Sequence, residues 1–431
     1  MRSQGIVRNA KWIIGCKIVQ SIIQLVVGML TARYLGPENY GLIDYAASIT
    51  AFAIPVMQLG LQSTLVQEFV DKPEMEGKIL GTQLVMNTLA AIACIIGVTS
   101  FAAIANPGDK VTVLVCALYS TSLLFQAIEM LQYWFQARLL SKYASIGMLL
   151  SYLVVSAYKI FLLVSEKNVF WFALSHAVEY GVTGLLLLIA YRRTGTQKLG
   201  FSVSLMRTMF AKSKHYIIAM LMVVAYNRVG NIFLKQFYGI AENGYYAAAV
   251  TCVNITGFVY LAIIDTARPV VLESKKESQA AFEKNISRVY GMIIWLSFAQ
   301  SLFFTVFAKL IVSVLYGEAY LPAVPVLQIL VWNTAFSYMG YVRNIWILGE
   351  EKHSLLWVIN LGGAIAGVLL NILLIRIWGA CGAALASVGT QLFTNVIMGY
   401  LLKPIRKNSE LLIKGFNPKL VLEMIPQLLK K

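Results

Sequence analysis

Charged residues are scarce in this sequence. Asp, Glu, Lys and Arg make up only 13% of the 431 residues, whereas hydrophobic residues make up 58%. Soluble domains carry about 25% charged residues, so the composition excludes an ordinary soluble protein and indicates an integral membrane protein. The net charge is +16, but the basic residues lie between apolar segments and form no basic domain. We therefore attribute them to membrane topology and expect no nucleic-acid partner.

Cysteine and histidine are also few. The five cysteines all lie in apolar segments and none forms a C-x-x-C pair, which predicts small buried residues rather than disulfides or metal ligands. The three histidines are scattered, and we interpret His176 as a packing residue. The sequence shows no nucleophile–base arrangement, metal cluster or phosphate-binding loop, so we predict no catalysis, no cofactor and no metal.

Long apolar segments dominate what is present. Each is long enough to cross about 30 Å of hydrocarbon, which takes roughly 20 residues. Their backbone groups must be satisfied within the segment, so we expect helices and an all-α membrane protein. The first segment contains Lys17 and is followed at once by a second, which favours a retained helix over a signal peptide. The twelve segments lie near residues 12–32, 42–66, 79–104, 111–136, 143–165, 168–191, 215–238, 245–267, 289–312, 322–348, 354–378 and 380–402.

The distribution of Lys and Arg predicts the orientation. With the amino terminus in the cytoplasm, 26 of the 36 basic residues fall on the cytoplasmic side, 6 on the opposite side and 4 inside the spans. Cytoplasmic loops carry the excess of basic residues in membrane proteins. We therefore expect both termini to be cytoplasmic.

A repeat divides the chain. Gly36 and Gly41 flank a polar turn between the first two spans, and Gly239 and Gly244 recur with the same spacing 203 positions later. This offset predicts two six-helix bundles related as a parallel repeat. The predicted domains are an N-terminal bundle (1–191), a basic cytoplasmic linker (192–214), a C-terminal bundle (215–402) and a basic amphipathic tail on the cytoplasmic membrane surface (403–431).

Charges inside the spans are the candidate functional residues. Each costs about 2.5–3.5 kcal/mol near the bilayer centre, so a charge retained there suggests function. Structural ion pairing is the alternative for each one, and those near span ends would also reach the membrane surface. The eight residues are Lys17, Asp44, Glu129, Lys159, Glu179, Arg228, Asp265 and Arg343.

Several motifs together resemble a known family. They are Ala32–Gly41, the Leu315-Tyr316-Gly317 turn, and the small-residue stretch Gly379–Ala386. With the twelve spans and the duplication, they resemble the Wzx-type polysaccharide (O-antigen) flippases of the multidrug/oligosaccharidyl-lipid/polysaccharide exporter superfamily. The resemblance implies two bundles around a central cavity that opens alternately to each side of the bacterial inner membrane.

The resemblance also implies a cargo, an undecaprenyl-pyrophosphate-linked oligosaccharide repeat unit for lipopolysaccharide, with membrane lipids, a polysaccharide polymerase and chain-length machinery as partners. Its pyrophosphate would be neutralised by cationic side chains, and its sugars would bind side-chain amides. Buried carboxylates would couple transport to protons or cations. The expected substrate-binding residues are Lys17, Gln20, Gln24, Gln58, Lys159, Asn227, Arg228, Asn231 and Arg343. The expected ion-coupling residues are Asp44, Glu129, Glu179 and Asp265.

Two other functions fit the sequence less well. A multidrug/cation antiporter of the same fold would bind organic cations on the carboxylates and aromatic residues. A membrane glycan polymerase or ligase would usually carry a large external loop, and the predicted external loops here are short.

Overall fold

The computed structural model describes residues 2–195 and 197–418, with the side chains of residues 2–14 and 16–18 left out of the description. Within these ranges the chain is helical and contains no strand. The helices of the first half are α1 (Arg2–Met57), α2 (Leu65–Asp71), α3 (Glu76–Ala105), α4 (Lys110–Ser120), α5 (Ser122–Glu129), α6 (Gln132–Ala137), α7 (Ser141–Val164) and α8 (Val169–Thr194).

The second half continues as helix throughout. Its helices are α9 (Val203–Tyr238), α10 (Ile240–Asn254), α11 (Gly257–Glu277), α12 (Gln279–Tyr316), α13 (Ala323–Leu330), α14 (Asn333–Gly349), α15 (Leu355–Leu392), α16 (Met398–Leu401) and α17 (Arg406–Gly415). A π-helical turn, Phe393–Ile397, joins α15 to α16. Such turns insert an extra residue into the helical ladder and often mark functional sites.

Glycines at positive φ break the helices where the sequence places its motifs. Gly36 interrupts α1 at φ 70° and ψ 172°, and Gly239 precedes α10 at φ 102° and ψ −179°. Gly317, at φ 87°, ends α12, and Gly379, at φ 54°, interrupts α15. The first three occupy a region of backbone space that is essentially restricted to glycine. The predicted repeat partners Gly36 and Gly239 thus share one unusual conformation.

Eight helical segments of the described chain are long and apolar enough to cross a membrane, or nine if the bent pair α10–α11 is one span. The chain is therefore a multi-pass membrane protein. The segments Val19–Met57 and Leu355–Leu401 each cover two predicted spans, because the breaks at Gly36 and Gly379 lie inside them. The predicted tenth span corresponds to α13 and α14, which are short separate helices. The count of twelve spans stays a prediction.

Apolar side chains cover the outer face of α3. Val85, Leu89, Ile92 and Ile96 follow one another at steps of four, three and four, and all are exposed. The opposite face of α3 buries Gln83, Asn87 and other small or polar residues. An apolar outside and a polar inside are what a helix needs when its surroundings are lipid.

The chain forms two compact units, Met1–Val224 and Ala225–Lys431, and their boundary falls inside α9. The segment predicted as a linker packs on the N-terminal unit. Gly200 N donates to Gly77 O at 3.0 Å, Ser202 N donates to Thr82 Oγ1 at 3.1 Å, and Ser213 Oγ donates to Leu59 O at 2.7 Å. The domain boundaries read from the sequence stay a prediction.

The predicted tail begins with α17. Leu411 and Leu412 are buried in the core of the C-terminal unit, whereas Ile413 and Phe416 are exposed. Part of the apolar face of this helix therefore packs on protein, and only the exposed part is left for the predicted membrane contact. Residues 419–431 of the predicted tail lie outside the described residues.

Candidate functional site

The N-terminal unit gathers several of the predicted charges. Lys159 on α7 interacts electrostatically with Glu179 and His176 on α8, and Glu179 interacts with Glu129 at the end of α5. His176 Nδ1 lies 3.9 Å from Glu179 Oε2, and the His176 ring packs on Tyr119 with centroids 4.5 Å apart. The ring contact agrees with the interpretation of His176 as a packing residue, but its nitrogen also faces a carboxylate.

This cluster contains two carboxylates but only one ammonium group. Two carboxylates close together repel each other, and one ammonium group compensates only one of them. The second carboxylate requires a proton or another cation whenever the group is shielded from water. Lys159, which the sequence assigns to the substrate, thus interacts with Glu179, which the sequence assigns to ion coupling together with Glu129.

The candidates on α1 and just after it belong to the same unit. Gln24 is exposed, while Gln20 and Asp44 are half-buried. Gln58 follows the end of α1, and its Oε1 is buried without a hydrogen-bond donor among the described residues. The side chain of Lys17 lies outside the described residues, so its predicted role stays a prediction.

The C-terminal unit contains a polar cavity of about 360 Å³. Three predicted site residues of α9, namely Asn227, Arg228 and Asn231, line it together. Asn227 and Arg228 stand four and three residues before Asn231, which brings all three to one side of the helix. The rest of the lining comes from α9, α10, α13, α14 and α15. These residues are Tyr226, Tyr246, Val250, Val253, Asn254, Leu330, Asn333, Ser337, Ser387 and Gln391.

Amides and hydroxyls dominate the lining of this cavity. It contains five side-chain amides, two serines, two tyrosines and one cation, Arg228, and the described residues that line it include no Asp or Glu. Such a surface binds ligands that carry hydroxyls together with negative charge, because amides donate and accept hydrogen bonds and a guanidinium binds oxyanions. It is poorly suited to a cationic ligand.

Arg343 lies outside this lining. It is only 4% exposed, and its Nη1 donates to Thr394 O at 2.8 Å and to Asn395 Oδ1 at 2.9 Å. Its Nη2 donates to Asn344 Oδ1 at 3.2 Å. All these acceptors are neutral. The structure therefore surrounds Arg343 with protein, so direct contact with a ligand in the cavity, as expected from the sequence, finds no support in its position.

Asp265, the last predicted ion-coupling residue, is exposed on α11 and is not part of the cavity lining. Sequence reasoning missed Tyr246, Ser387 and Gln391 as site residues. A signal was present for Gln391, since it stands four residues before Asn395 in a predicted span without charged residues. Two amides on one face of a spanning helix indicate a protein or water environment.

Comparison with known proteins adds a family and a fold. A family model described as "Polysaccharide biosynthesis protein" matches residues 6–275. An uncharacterized membrane protein of Methanocaldococcus jannaschii is 23% identical over 223 residues, which make up 49% of this chain and 44% of that relative. The aligned part thus spans less than half the length of this curated relative.

Two solved structures show the similarity in fold. "Lipid II flippase MurJ, inward closed conformation" has a TM-score of 0.74 and 14% identity, and the match covers 96% of this chain and 91% of that one. An inward-facing multidrug resistance MATE family transporter of the MOP superfamily has a TM-score of 0.67 and 14% identity, with 92% and 96% covered. At this identity the matches establish a shared fold and nothing about cargo.

Proposed function

The chain belongs to the polysaccharide biosynthesis protein family, which confirms the family resemblance seen in the sequence, and we propose that it is a flippase for undecaprenyl-pyrophosphate-linked oligosaccharide repeat units in the bacterial cytoplasmic membrane. One observation carries the proposal. The cavity of the C-terminal unit combines a guanidinium with many amides and hydroxyls, and no carboxylate lies among the described residues that line it.

This lining suits the head group of such a lipid. A charged pyrophosphate and its sugars cannot cross hydrocarbon unassisted, because each polar group would lose its hydrogen bonds to water. Arg228 presents planar donors that match phosphate oxygens in pairs. Asn227, Asn231, Asn254 and Asn333 offer donors and acceptors to sugar hydroxyls. The prenyl chain stays in the lipid while the head group passes through the protein.

The transport cycle we propose is alternating access. Twelve spans form two six-helix bundles, and rocking of one bundle against the other exposes the site to each side in turn. Both termini lie in the cytoplasm, as the distribution of Lys and Arg predicts. In this account the cargo supplies glycan such as O-antigen for lipopolysaccharide, and the flippase works beside a polymerase and chain-length machinery.

The N-terminal charge cluster is the proposed coupling site. Glu179 interacts with both Glu129 and Lys159, so two carboxylates are accompanied by one ammonium group and the cluster takes up a proton or a cation when water is excluded. Uptake on one side of the membrane and release on the other would tie the cycle to an ion gradient. Asp44 and Asp265 are the other proposed ion-coupling residues.

A multidrug/cation antiporter is the second candidate, because a MATE transporter shares the fold. An organic cation needs carboxylates or aromatic faces to replace its hydration. The described residues that line the C-terminal cavity offer two tyrosines but no carboxylate, and Arg228 would repel the ligand. The chemistry of the cavity therefore favours the anionic glycolipid.

Complementation tests the proposed function. The chain is expressed in a bacterial strain that lacks its own polysaccharide flippase, and radiolabelled lipid-linked sugar is followed on both faces of the membrane. We expect label to appear on the outer face and surface glycan to return. Label that stays on the cytoplasmic face, with the protein present at normal abundance, would contradict the proposal.

A further inference from the structure

A chain of hydrogen bonds runs from Arg343 to the polar cavity of the C-terminal unit. Arg343 Nη1 donates to Asn395 Oδ1 at 2.9 Å. Asn395 Nδ2 donates to Phe336 O at 2.9 Å and to Gln391 Oε1 at 2.7 Å. Gln391 is one of the residues that line the cavity. The buried arginine is thus connected to the cavity surface through two side-chain amides.

The donor and acceptor roles in this series of hydrogen bonds are fixed by Arg343 and Phe336 O. A guanidinium carries five donors and no acceptor, so the Asn395 atom that faces Arg343 must be the oxygen. A backbone carbonyl only accepts, so the Asn395 atom that faces Phe336 O must be the nitrogen. Asn395 therefore donates to Gln391, and the Gln391 atom that receives this bond is the oxygen. The donors of Gln391 Nε2 are left for another partner, and none is found within residues 2–195 and 197–418.

The surroundings leave Asn395 little freedom to turn over. It lies in the π-helical turn and is only 6% exposed. A Cβ added at Gly340 would come within 2.5 Å of Asn395 Oδ1, so α14 approaches this amide as closely as it can. Thr394 O, in the same turn, also accepts from Arg343. The arginine thus holds both the backbone and the amide of the turn in place.

Arg343 also has no charged hydrogen-bond partner among residues 2–195 and 197–418. Its acceptors are a backbone carbonyl and two side-chain amides, and its Nε is buried without a hydrogen bond in the described part of the chain. A buried cation without a carboxylate is costly. Polarised amides would carry part of its field to the cavity, where an anion would act as the missing counter-charge.

We propose that Arg343 is a positioning residue that acts through Asn395 to turn the amide N–H groups of Gln391 toward the cavity, where they bind an oxyanion of the ligand. The ligand atom is an oxygen that only accepts, as in a phosphate or a carboxylate, and not a hydroxyl. The proposal adds detail to the proposed function. It rests on that function only where it assumes that the bound ligand is then translocated. It names the kind of group that meets this wall of the cavity.

Asn395→Asp tests the direction of the chain without touching the cavity lining. Both oxygens of the new carboxylate accept, so Gln391 must turn its N–H groups toward residue 395 and present Oε1 to the cavity. The new carboxylate pairs with Arg343, which offsets the loss of the bond to Phe336 O. Asn371→Asp is the matched control. Asn371 is also a buried amide of this unit, and it donates to Gly367 O at 2.7 Å. It belongs neither to the hydrogen-bond series from Arg343 to Gln391 nor to the cavity lining.

The readout is the side-chain nitrogen signal of Gln391 in ¹⁵N-glutamine-labelled full-length protein in lipid nanodiscs. Gln391→Met, which loses only this signal, assigns it and keeps the bond between Arg343 and Asn395. We expect inorganic pyrophosphate or glucuronate, each titrated separately, to shift the signal. The anion that shifts it at the lower concentration identifies whether the site prefers a phosphate or a carboxylate. We expect Asn395→Asp to abolish the shift and to weaken binding at least about tenfold, as loss of a charge-assisted hydrogen bond predicts. Asn371→Asp should respond like the wild type.

Three results would overturn the proposal: a wild-type signal that neither anion moves, an unchanged response in Asn395→Asp, or an equal loss in Asn371→Asp. If Asn395→Asp unfolds, Gln391→Met decides, since unchanged anion affinity in that variant also contradicts the proposal. A protein whose signal responds as expected but that moves no lipid-linked glycan would contradict the flippase function alone.

Discussion

The two intramembrane arginines of the C-terminal unit differ in what surrounds them. Arg228 lines the polar cavity, whereas Arg343 is enclosed by neutral acceptors. The sequence assigned both to the substrate because a charge within a span is costly wherever it points. Only tertiary structure separates a side chain that meets a ligand from one that holds another side chain in place.

Substitution of Arg228 tests the site at the scale of one residue. Arg228→Ala should abolish glycan export at normal protein abundance, because the cavity loses the only cation of its described lining. Arg228→Lys should keep part of the activity, since a point charge remains but the paired donors are lost. Lys235→Ala is the control on the same helix and lies outside the lining. Two results would contradict the assignment of Arg228 to the binding site: normal export by Arg228→Ala, or disappearance of the variant protein from the membrane.

Part of the cavity was predictable residue by residue. Asn227, Arg228 and Asn231 follow helical spacing, and they do line the cavity together. Gln391 and Asn395 were not predicted although their four-residue spacing was a signal, because the sequence alone does not show which polar face of a spanning helix meets the cavity. The grouping of Lys159, Glu179 and Glu129 was not predicted either, since three different helices supply these residues.

At the scale of elements, glycine breaks organise the helices. The sequence predicted a helix stop at Gly36 and a repeat of it at Gly239, and both adopt positive φ. It did not predict that the breaks at Gly36 and Gly379 would leave the helices on either side nearly continuous, as in α1 and α15. A single glycine in such a conformation changes the direction of the helix axis, while the residues before and after it remain helical.

Gly36→Ala and Gly239→Ala should each destabilise the protein by about 1–3 kcal/mol, because alanine is strained in this backbone region. A Cβ at either position meets no atom within 4 Å, so the cost is conformational and not a clash. Gly97→Ala is the matched control, since Gly97 is helical and equally uncrowded, and alanine there should be neutral or stabilising. Thermal unfolding in detergent measures all three. Equal effects of Gly36→Ala and Gly97→Ala would refute the strained turn.

Ion pairs hold the start of α9 on the N-terminal unit. Glu68 accepts from Lys212 at 2.5 Å and from Lys72 at 3.0 Å. Burial alone would raise the pKa of Glu68, but these two bonds outweigh it and hold the pKa below the ordinary value of 4.5. A lowered pKa stabilises the folded state above pH 4.5, and the stabilisation disappears as pH falls through the lower, folded value.

Glu68→Gln should therefore loosen residues 203–213 at neutral pH and have no effect in acid. Hydrogen exchange of this segment, compared between wild type and variant at each pH, should differ at pH 7 and converge as the pH falls through the lowered pKa of Glu68. Glu283→Gln, which removes a 3.4 Å pair with Lys407 elsewhere, should leave the segment unchanged. A difference between wild type and Glu68→Gln that persists or grows in acid would show that this ion pair does not hold the segment.

At the scale of the whole molecule, composition was sufficient to predict a membrane protein, because hydrophobicity and basic loops are properties of long stretches. The motifs were sufficient to predict the family. The unit boundary inside α9 was beyond such reasoning. It depends on contacts such as that between Ser213 and Leu59, which are distant in sequence.

Topology is testable on the whole chain. A cysteine placed at Lys198 should be protected from membrane-impermeant thiol reagents in intact cells and labelled in inverted vesicles, because the basic 192–214 segment is predicted to be cytoplasmic. A cysteine placed at Lys110, on the predicted outer side, is the control and should show the reverse. Labelling of the cysteine at position 198 in intact cells would contradict the predicted orientation.

Transport by the purified protein tests the central claim most directly. The full chain is reconstituted into proteoliposomes with radiolabelled undecaprenyl-pyrophosphate-linked oligosaccharide, and an external glycosidase reports how much sugar lies on the outer face. With the wild type, nearly all of the label should become accessible over time, whereas Arg228→Ala and protein-free vesicles should keep about half protected. Protection that persists with folded wild-type protein, or equal release by Arg228→Ala, would contradict a flippase that works through this cavity.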